Sequence, residues 1–196
     1  PERFREEIRH ARRIANPGCY ATGTQLALLP LLPRITGTPV VFGVSGYSGA
    51  GKKPSARNSP ERLKNNLIPY SLSGHVHEAE VSFQLGRDVC FMPHVAEFFR
   101  GISLTITVCL QDAVTVEELF EIYSSAYQHE PLVQISRDIP EVAAVQGRHE
   151  VHIGGFTVDA RDPRRVSMVA TLDNLAKGAA TQAMQNLNLA LGFAEL

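Results

Sequence analysis

The sequence is poor in the features that would place it in several large classes of protein. It has only three cysteines, odd in number, far apart and without a CxxC pair. That pattern disfavours a disulfide framework, suits a reducing compartment and argues against a zinc site. Charge excess is lacking too: 19 Lys and Arg stand against 20 Asp and Glu, for a formal net charge of −1. Nucleic acid or an anionic membrane as main partner would favour a basic surface, so neither is expected. No apolar run approaches the roughly 18–20 residues needed to span a bilayer. The opening "PERFREEIRHARR" lacks the apolar core of a secretory signal, and its acidic residues argue against a transit peptide. It reads as a cut start presenting a solvated, charged face. Internal repeats and low-complexity segments are also missing.

What is present suits one folded domain. The 196 residues are 44% hydrophobic, enough for a real core at a length of roughly 100–200 residues per domain. After an "NPG" corner, 20–32 is apolar enough for a largely buried helix, ended by Pro33. "VVFGVSG" (40–46) reads as a buried strand that empties into a long loop over 47–60, dominated by Pro, Ser, Asn and Gly. "DVCFMPHV" (88–95) is a further strand. Over 102–110, Ile102, Leu104, Ile106, Val108 and Leu110 alternate with Ser103, Thr105, Thr107 and Cys109, the period of a half-buried strand. Thr115 and Glu118 form a capping box before an amphipathic helix whose stripe is Val116, Leu119, Phe120, Tyr123 and Tyr127. "EVHIGGFTVDA" and "RRVSMVATLD" flank "RDPR" as a hairpin. A last helix carries Leu175, Ala179, Ala183, Leu187 and Leu191 along one face. Strands with helices between them, then a hairpin and a helix, predict an α+β or mixed α/β fold with one covered sheet face.

The chemistry concentrates in three places. Cys19 follows the Pro17-Gly18 corner, where the apolar helix starts. First-turn N–H groups and the helix dipole favour a thiolate, the form that attacks a carbonyl. The plainer alternative is a small apolar residue in a helix start. Second, "SLSGHVHEAE" holds His75, His77 and Glu80 within six residues. A thiolate nucleophile wants an acid/base nearby, and His has a suitable pKa. On an extended segment the two histidines would share a face, with Glu80 orienting one of them or binding substrate. A metal is the alternative, but no third ligand of matching spacing is evident, so none is expected. Third, "GYSGAGKK" matches G-x-x-x-x-G-K, but Lys53 stands where Ser or Thr should hold Mg²⁺ and Pro54 follows where a helix should open. A nucleoside-triphosphate site is rejected. What survives is a glycine-rich loop with two lysines, suited to an anionic group such as phosphate or carboxylate, or else a plain surface loop. Cys90 and Cys109 fall inside strands among apolar neighbours and read as structural; His94 reads as packing.

Together, "ANPGCYATGTQLALLPLL", "GVSGYSGAGKKP", "NLIPYSLSGHVHEAE", "FMPHVAEFFRGISLTI" and "DNLAKGAATQAMQNLNLALG" resemble one family, the N-acetyl-gamma-glutamyl-phosphate reductases, the arginine-biosynthesis branch of the semialdehyde dehydrogenases. The wording is most similar to the fungal enzymes. The resemblance implies a glyceraldehyde-3-phosphate dehydrogenase-like C-terminal domain, catalytic and dimerising over 1–172, with 173–196 as a helix that packs on an NADP-binding domain. That domain's G-x-G-x-x-G fingerprint does not occur here. The resemblance further implies an NADPH-dependent reduction of N-acetyl-L-glutamyl 5-phosphate to the 5-semialdehyde through a thioester on Cys19. His77 would be the acid/base, with His75 close behind. Ser45, Ser48, Gly49 and Gly51 would border the substrate, and Gly18, Asn174, Lys177 and Gly178 the cofactor. It also implies a homo-oligomer, in the mitochondrial matrix for a fungal source and the cytoplasm for a bacterial one. Alone, this portion is expected to bind NADP weakly and to turn over negligibly.

Two rivals belong to other classes. One is a non-catalytic dimerisation module, in which Cys19 is an ordinary thiol. The other is a Cys-His acyl hydrolase or transferase, which uses the same nucleophile and no nicotinamide.

Overall fold

The alternation of β-branched and apolar residues with small polar ones builds a seven-stranded mixed sheet in the computed structural model, which describes all 196 residues. β1 (Ile35–Gly46), β2 (Leu67–Pro69), β3 (Cys90–Ala96), β4 (Ile102–Leu110), β5 (Val133–Ile135), β6 (Val151–Asp159) and β7 (Asp162–Leu172) lie in the order β2-β3-β1-β4-β7-β6-β5. β1 pairs parallel with β3, and β5 with β6; every other pair is antiparallel. The expected strand 102–110 and the hairpin of β6 and β7 are both present. Ile102, Leu104, Ile106, Val108 and Leu110 are buried on one face. On the other, Thr105, Val40 and Phe42 are exposed.

Two helices cover the buried face. α2 (Cys19–Leu28) lies close enough that a Cβ at Gly23 would sit 2.6 Å from Leu104 Cδ1. α5 (Val116–Tyr127) starts at the Thr115–Glu118 capping box, with both reciprocal hydrogen bonds made. Its Tyr127 and Tyr123 hydroxyls donate to the Leu26 and Ala27 carbonyls at the end of α2, where a helix leaves acceptors short of partners. This is an α+β architecture with a mixed sheet covered by helices on one side, as the sequence pattern and the resemblance both predict.

Four expectations need correction. α2 stops at Leu28, and a 3₁₀ turn over Leu29–Arg34 carries the chain on, with Pro33 inside it. Pro30 has no N–H to continue the α-helical ladder. Residues 75–80 are not extended: α4 (Val76–Leu85) begins there with His75 as its N-cap. Cys90 is exposed at the start of β3, not enclosed by apolar neighbours. The terminal segment is the largest departure. A π-helical turn (Ala176–Ala180) precedes α7 (Thr181–Leu191), and the buried face of α7 is Thr181, Gln182, Gln185, Asn186 and Leu189. The expected apolar stripe faces outward instead, Leu175, Leu187 and Leu191 being 36%, 50% and 59% exposed. The polar face turns inward to meet both ends of the chain: Gln185 Nε2 donates to Glu2 and Glu195, and Asn186 Nδ2 to Asn16 Oδ1. α1 (Arg5–His10) has no buried residue, as expected of a solvated face, but Glu2 ahead of it is tucked against α7 and the π-helical turn. The short helices α3 (Pro60–Leu63) and α6 (Val142–Val145) complete the chain.

Candidate active site

The site begins at the corner the sequence singled out. Gly18 is the N-cap of α2, in extended backbone at φ −68°, ψ 154°, and Cys19 is the first helical residue. Gly18 N–H donates to both carboxylate oxygens of Glu80, at 3.1 and 3.3 Å. Glu80 comes from α4, so this contact ties the starts of two helices together. The ring of His77, also on α4, lies directly over Gly18: a Cβ there would be 2.1 Å from His77 Nε2. Gly178 closes the other side, where a Cβ would be 2.6 Å from Cys19 Cβ. The π-helical turn brings Gly178 to this point. The Gly178 N–H donates to the Asp173 carbonyl at 2.9 Å, and the Asp173 carboxylate holds the N–H groups of Gly147, Leu175 and Ala176 and pairs with Arg100. A π turn of this kind is uncommon and recurs at functional sites.

Cys19, His75 and His77 open onto one cleft of about 200 Å³, shared with Tyr20, Ser45 and Gly49. The histidines are inequivalent. His75 Nδ1 accepts from His77 N–H at 3.1 Å in the capping role, so neutral His75 carries its proton on Nε2. His77 Nδ1 is buried with no hydrogen-bond partner, whereas a buried polar atom ordinarily has one. Burial, helped by neighbouring His75, lowers His77 to a pKa of about 4. It is therefore neutral at physiological pH.

The electrostatics of Cys19 overturn one expectation. Burial pushes the thiol up to a pKa of about 11, and the Glu80 carboxylate adds to the rise. The backbone N–H groups of Tyr20 and Cys19 act in the opposite direction and are outweighed. The helix start does favour the thiolate, but enclosure disfavours any unpaired charge more. At physiological pH the cleft therefore holds a protonated thiol and a neutral imidazole.

The other candidates divide. Ser45 and Gly49 line the cleft, whereas Ser48 and Gly51 face the outer side of the loop. Glu80 lies outside the cleft and holds the corner. Asn174 is committed within the chain, its Oδ1 accepting from Gly101 N–H at 2.7 Å and its Nδ2 donating to Ser48 Oγ at 2.9 Å. Lys177 is fully buried and bonded to Glu2 and Gln185. Gly18 and Gly178 alone of the four expected cofactor residues lie against Cys19. Lys52 and Lys53 do not line the cleft; Arg57 and Tyr70 do, and the sequence reading passed over both. Arg57 lies in the long loop after β1 with no periodicity to single it out, and only the path of that loop brings it to the cleft.

Comparison with known proteins places this arrangement. Residues 19–174 match the model of the semialdehyde dehydrogenase dimerisation domain. The chain belongs to that family of domains. It is 57% identical over all 196 residues to the N-acetyl-gamma-glutamyl-phosphate reductase of Xanthomonas campestris pv. campestris strain B100 and covers 62% of that protein. It is 56% identical over 191 residues to the mitochondrial protein arg-6 of Neurospora crassa, covering 97% of this chain and 22% of that one. The chain thus spans under two thirds of the length of these relatives, and identity does not separate the fungal from the bacterial. Among solved structures, aspartate semialdehyde dehydrogenase II of Vibrio cholerae superposes with a TM-score of 0.76 at 18% identity, over 97% of this chain and 66% of that one. A protein of Pseudomonas aeruginosa described as a probable aspartate-semialdehyde dehydrogenase superposes with a TM-score of 0.73 at 20% identity, over 89% of this chain and 61% of that one. These two likenesses concern the fold alone.

Proposed function

We propose that this chain is the catalytic and dimerisation portion of an N-acetyl-gamma-glutamyl-phosphate reductase of arginine biosynthesis. The observation that carries the reading is the seating of His77 over Gly18, one residue from a cysteine at the first position of a helix. Cys19 Sγ attacks the acyl carbon of N-acetyl-L-glutamyl 5-phosphate, and its proton passes to His77. The C–O bond to phosphate breaks, phosphate leaves with the electron pair, and a thioester remains on Cys19. N–H groups of the first turn of α2 face the developing oxyanion, where donors of this kind stabilise charge. NADPH, when bound, would supply the hydride to the thioester carbon. The C–S bond then breaks to release the semialdehyde, the Cys19 sulfur keeps the electron pair, and His77 returns the proton to it.

Gly18 and Gly178 would serve by close packing, since the space a Cβ would take is filled by the His77 ring at Gly18 and by Cys19 at Gly178. Asn174 and Lys177 would act at one remove, by holding the 47–50 turn and the π-helical turn. The chain carries no G-x-G-x-x-G fingerprint, so the dinucleotide would be held by a preceding domain, and the outward apolar stripe of α7 is a face for that domain. The open face of the sheet, with Val40 and Phe42 exposed, would serve the dimerisation that the family description names. A fungal source would place the protein in the mitochondrial matrix and a bacterial one in the cytoplasm.

The test joins the chain to its upstream domain and follows NADPH oxidation with N-acetyl-L-glutamyl 5-phosphate beside Cys19→Ser. Turnover lost in the variant supports the reading. No turnover in the wild type returns the site to the hydrolase or dimerisation alternatives.

A further inference from the structure

The cleft needs a counter-charge for an anionic substrate, and the lysines expected to provide it do not. Lys52 and Lys53 are exposed and neither lines the cleft. Of the residues that do line it, Arg57 alone is a permanent cation, and no carboxylate lines it. Arg57 forms no ion pair with any Asp or Glu of the chain, although other arginines, such as Arg5 and Arg100, do. Its guanidinium instead rests over the Tyr70 ring, 4.7 Å from the centroid. A contact of this kind orients the guanidinium, whose five N–H donors are more than one ring can occupy.

The loop beneath is pinned. Asn58 Oδ1 accepts from Ser55 N–H at 2.7 Å, and Asn58 Nδ2 donates to the carbonyls of Gly51 and Lys53 at 2.8 and 2.9 Å. Arg57 N–H donates to Ser55 Oγ at 3.3 Å. Arg57 is thus presented by a closed loop, against an aromatic ring, into the cleft that contains Cys19. A guanidinium held in this way is suited to bidentate recognition of a carboxylate or phosphate.

We propose that Arg57, oriented by Tyr70, is the oxyanion receptor of this cleft and docks an anionic group of the substrate within reach of Cys19. Which anion it takes rests on the acyl-phosphate reading; the existence of the receptor does not. The shared chemistry is a planar or tetrahedral oxyanion, from either the phosphoryl group or the carboxylate at the far end of the acyl chain.

Alkylation of the intact chain with iodoacetate and with iodoacetamide tests this without any nicotinamide. The ratio of the two rates is read at Cys19 by peptide mass spectrometry, with exposed Cys90 as internal reference. The charged reagent is expected to be favoured at Cys19 over Cys90 by about five- to tenfold, as a charge-assisted contact allows. Arg57→Gln should bring the ratio at Cys19 to that at Cys90, and Arg57→Lys should restore part of it. Inorganic phosphate and N-acetyl-L-glutamate are then added separately as protectants. Protection by phosphate assigns Arg57 to the leaving group, and protection by N-acetyl-L-glutamate alone assigns it to the carboxylate. An unchanged ratio in Arg57→Gln, or no protection by either anion, overturns the proposal, while the thioester reading stays open to its own test.

Discussion

The imidazole of His77 occupies the space that a side chain at Gly18 would need, with Nε2 2.1 Å from where a Cβ would stand. Gly18 has φ −68° and ψ 154°, a conformation open to any residue, so glycine is needed there for room and not for backbone freedom. Gly18→Ala should therefore fold, push the ring aside and leave Cys19 in place. Acylation of Cys19 by an acyl phosphate should slow by about 100-fold, the scale of a misplaced catalytic group. A rate equal to wild type would remove His77 from the reaction.

Glu80 acts on the same corner from below. Glu80→Ala would leave the Gly18 N–H without its partner, at a cost of about 1–3 kcal/mol. The urea midpoint should fall with an unchanged m-value. Glu80→Gln keeps an acceptor and should recover most of the loss. If alanine and glutamine were equally destabilising, the charge of Glu80 would matter and the hydrogen bond would not.

The thiol of Cys19 should behave as an enclosed one. Burial raises its pKa to about 11, above the ordinary thiol value of 9.0. Iodoacetamide reactivity at Cys19 should rise steadily from pH 7 to 10, with no plateau near neutrality. The raised pKa also bears on stability. Below pH 9 the thiol is protonated in both folded and unfolded chains, so burial of the neutral form contributes in full. Between pH 9 and 11 the unfolded chain binds fewer protons at this group, so stability falls as pH rises. Cys19→Ser should flatten that part of the curve.

The chain alone is expected to bind NADP weakly and to oxidise NADPH negligibly in the presence of N-acetyl-L-glutamyl 5-phosphate. Fluorescence titration and a stopped assay check this directly. Turnover by the isolated chain would mean that these 196 residues hold the coenzyme themselves.

Local patterns were legible and long-range partners were not. The strand Ile102–Leu110 and the helix after Thr115 could be read because alternation and a capping box are complete within a few residues. The same logic gave α7 an apolar stripe but could not say which side the rest of the chain would occupy. In this chain the polar side is buried, because Gln185 and Asn186 have partners in Glu2 and Asn16, far off in sequence, and in Glu195 beyond the end of the helix. At the site, Cys19 and the two histidines announced themselves by residue type and setting. Glu80 could not be separated from a substrate contact, since its hydrogen bond to Gly18 crosses 62 positions. The elevated thiol pKa was hidden for a related reason: a helix start can be seen in sequence, but the enclosure that outweighs it cannot.

The central claim is that Cys19 takes the acyl group. The most direct measurement mixes the chain with N-acetyl-L-glutamyl 5-phosphate in the absence of nicotinamide, quenches in acid and maps the adduct by mass spectrometry. The account predicts one acyl group on the Cys19 peptide, released by hydroxylamine and missing from Cys19→Ser. An unmodified Cys19 peptide with intact substrate, or an equal adduct in Cys19→Ser, would contradict it.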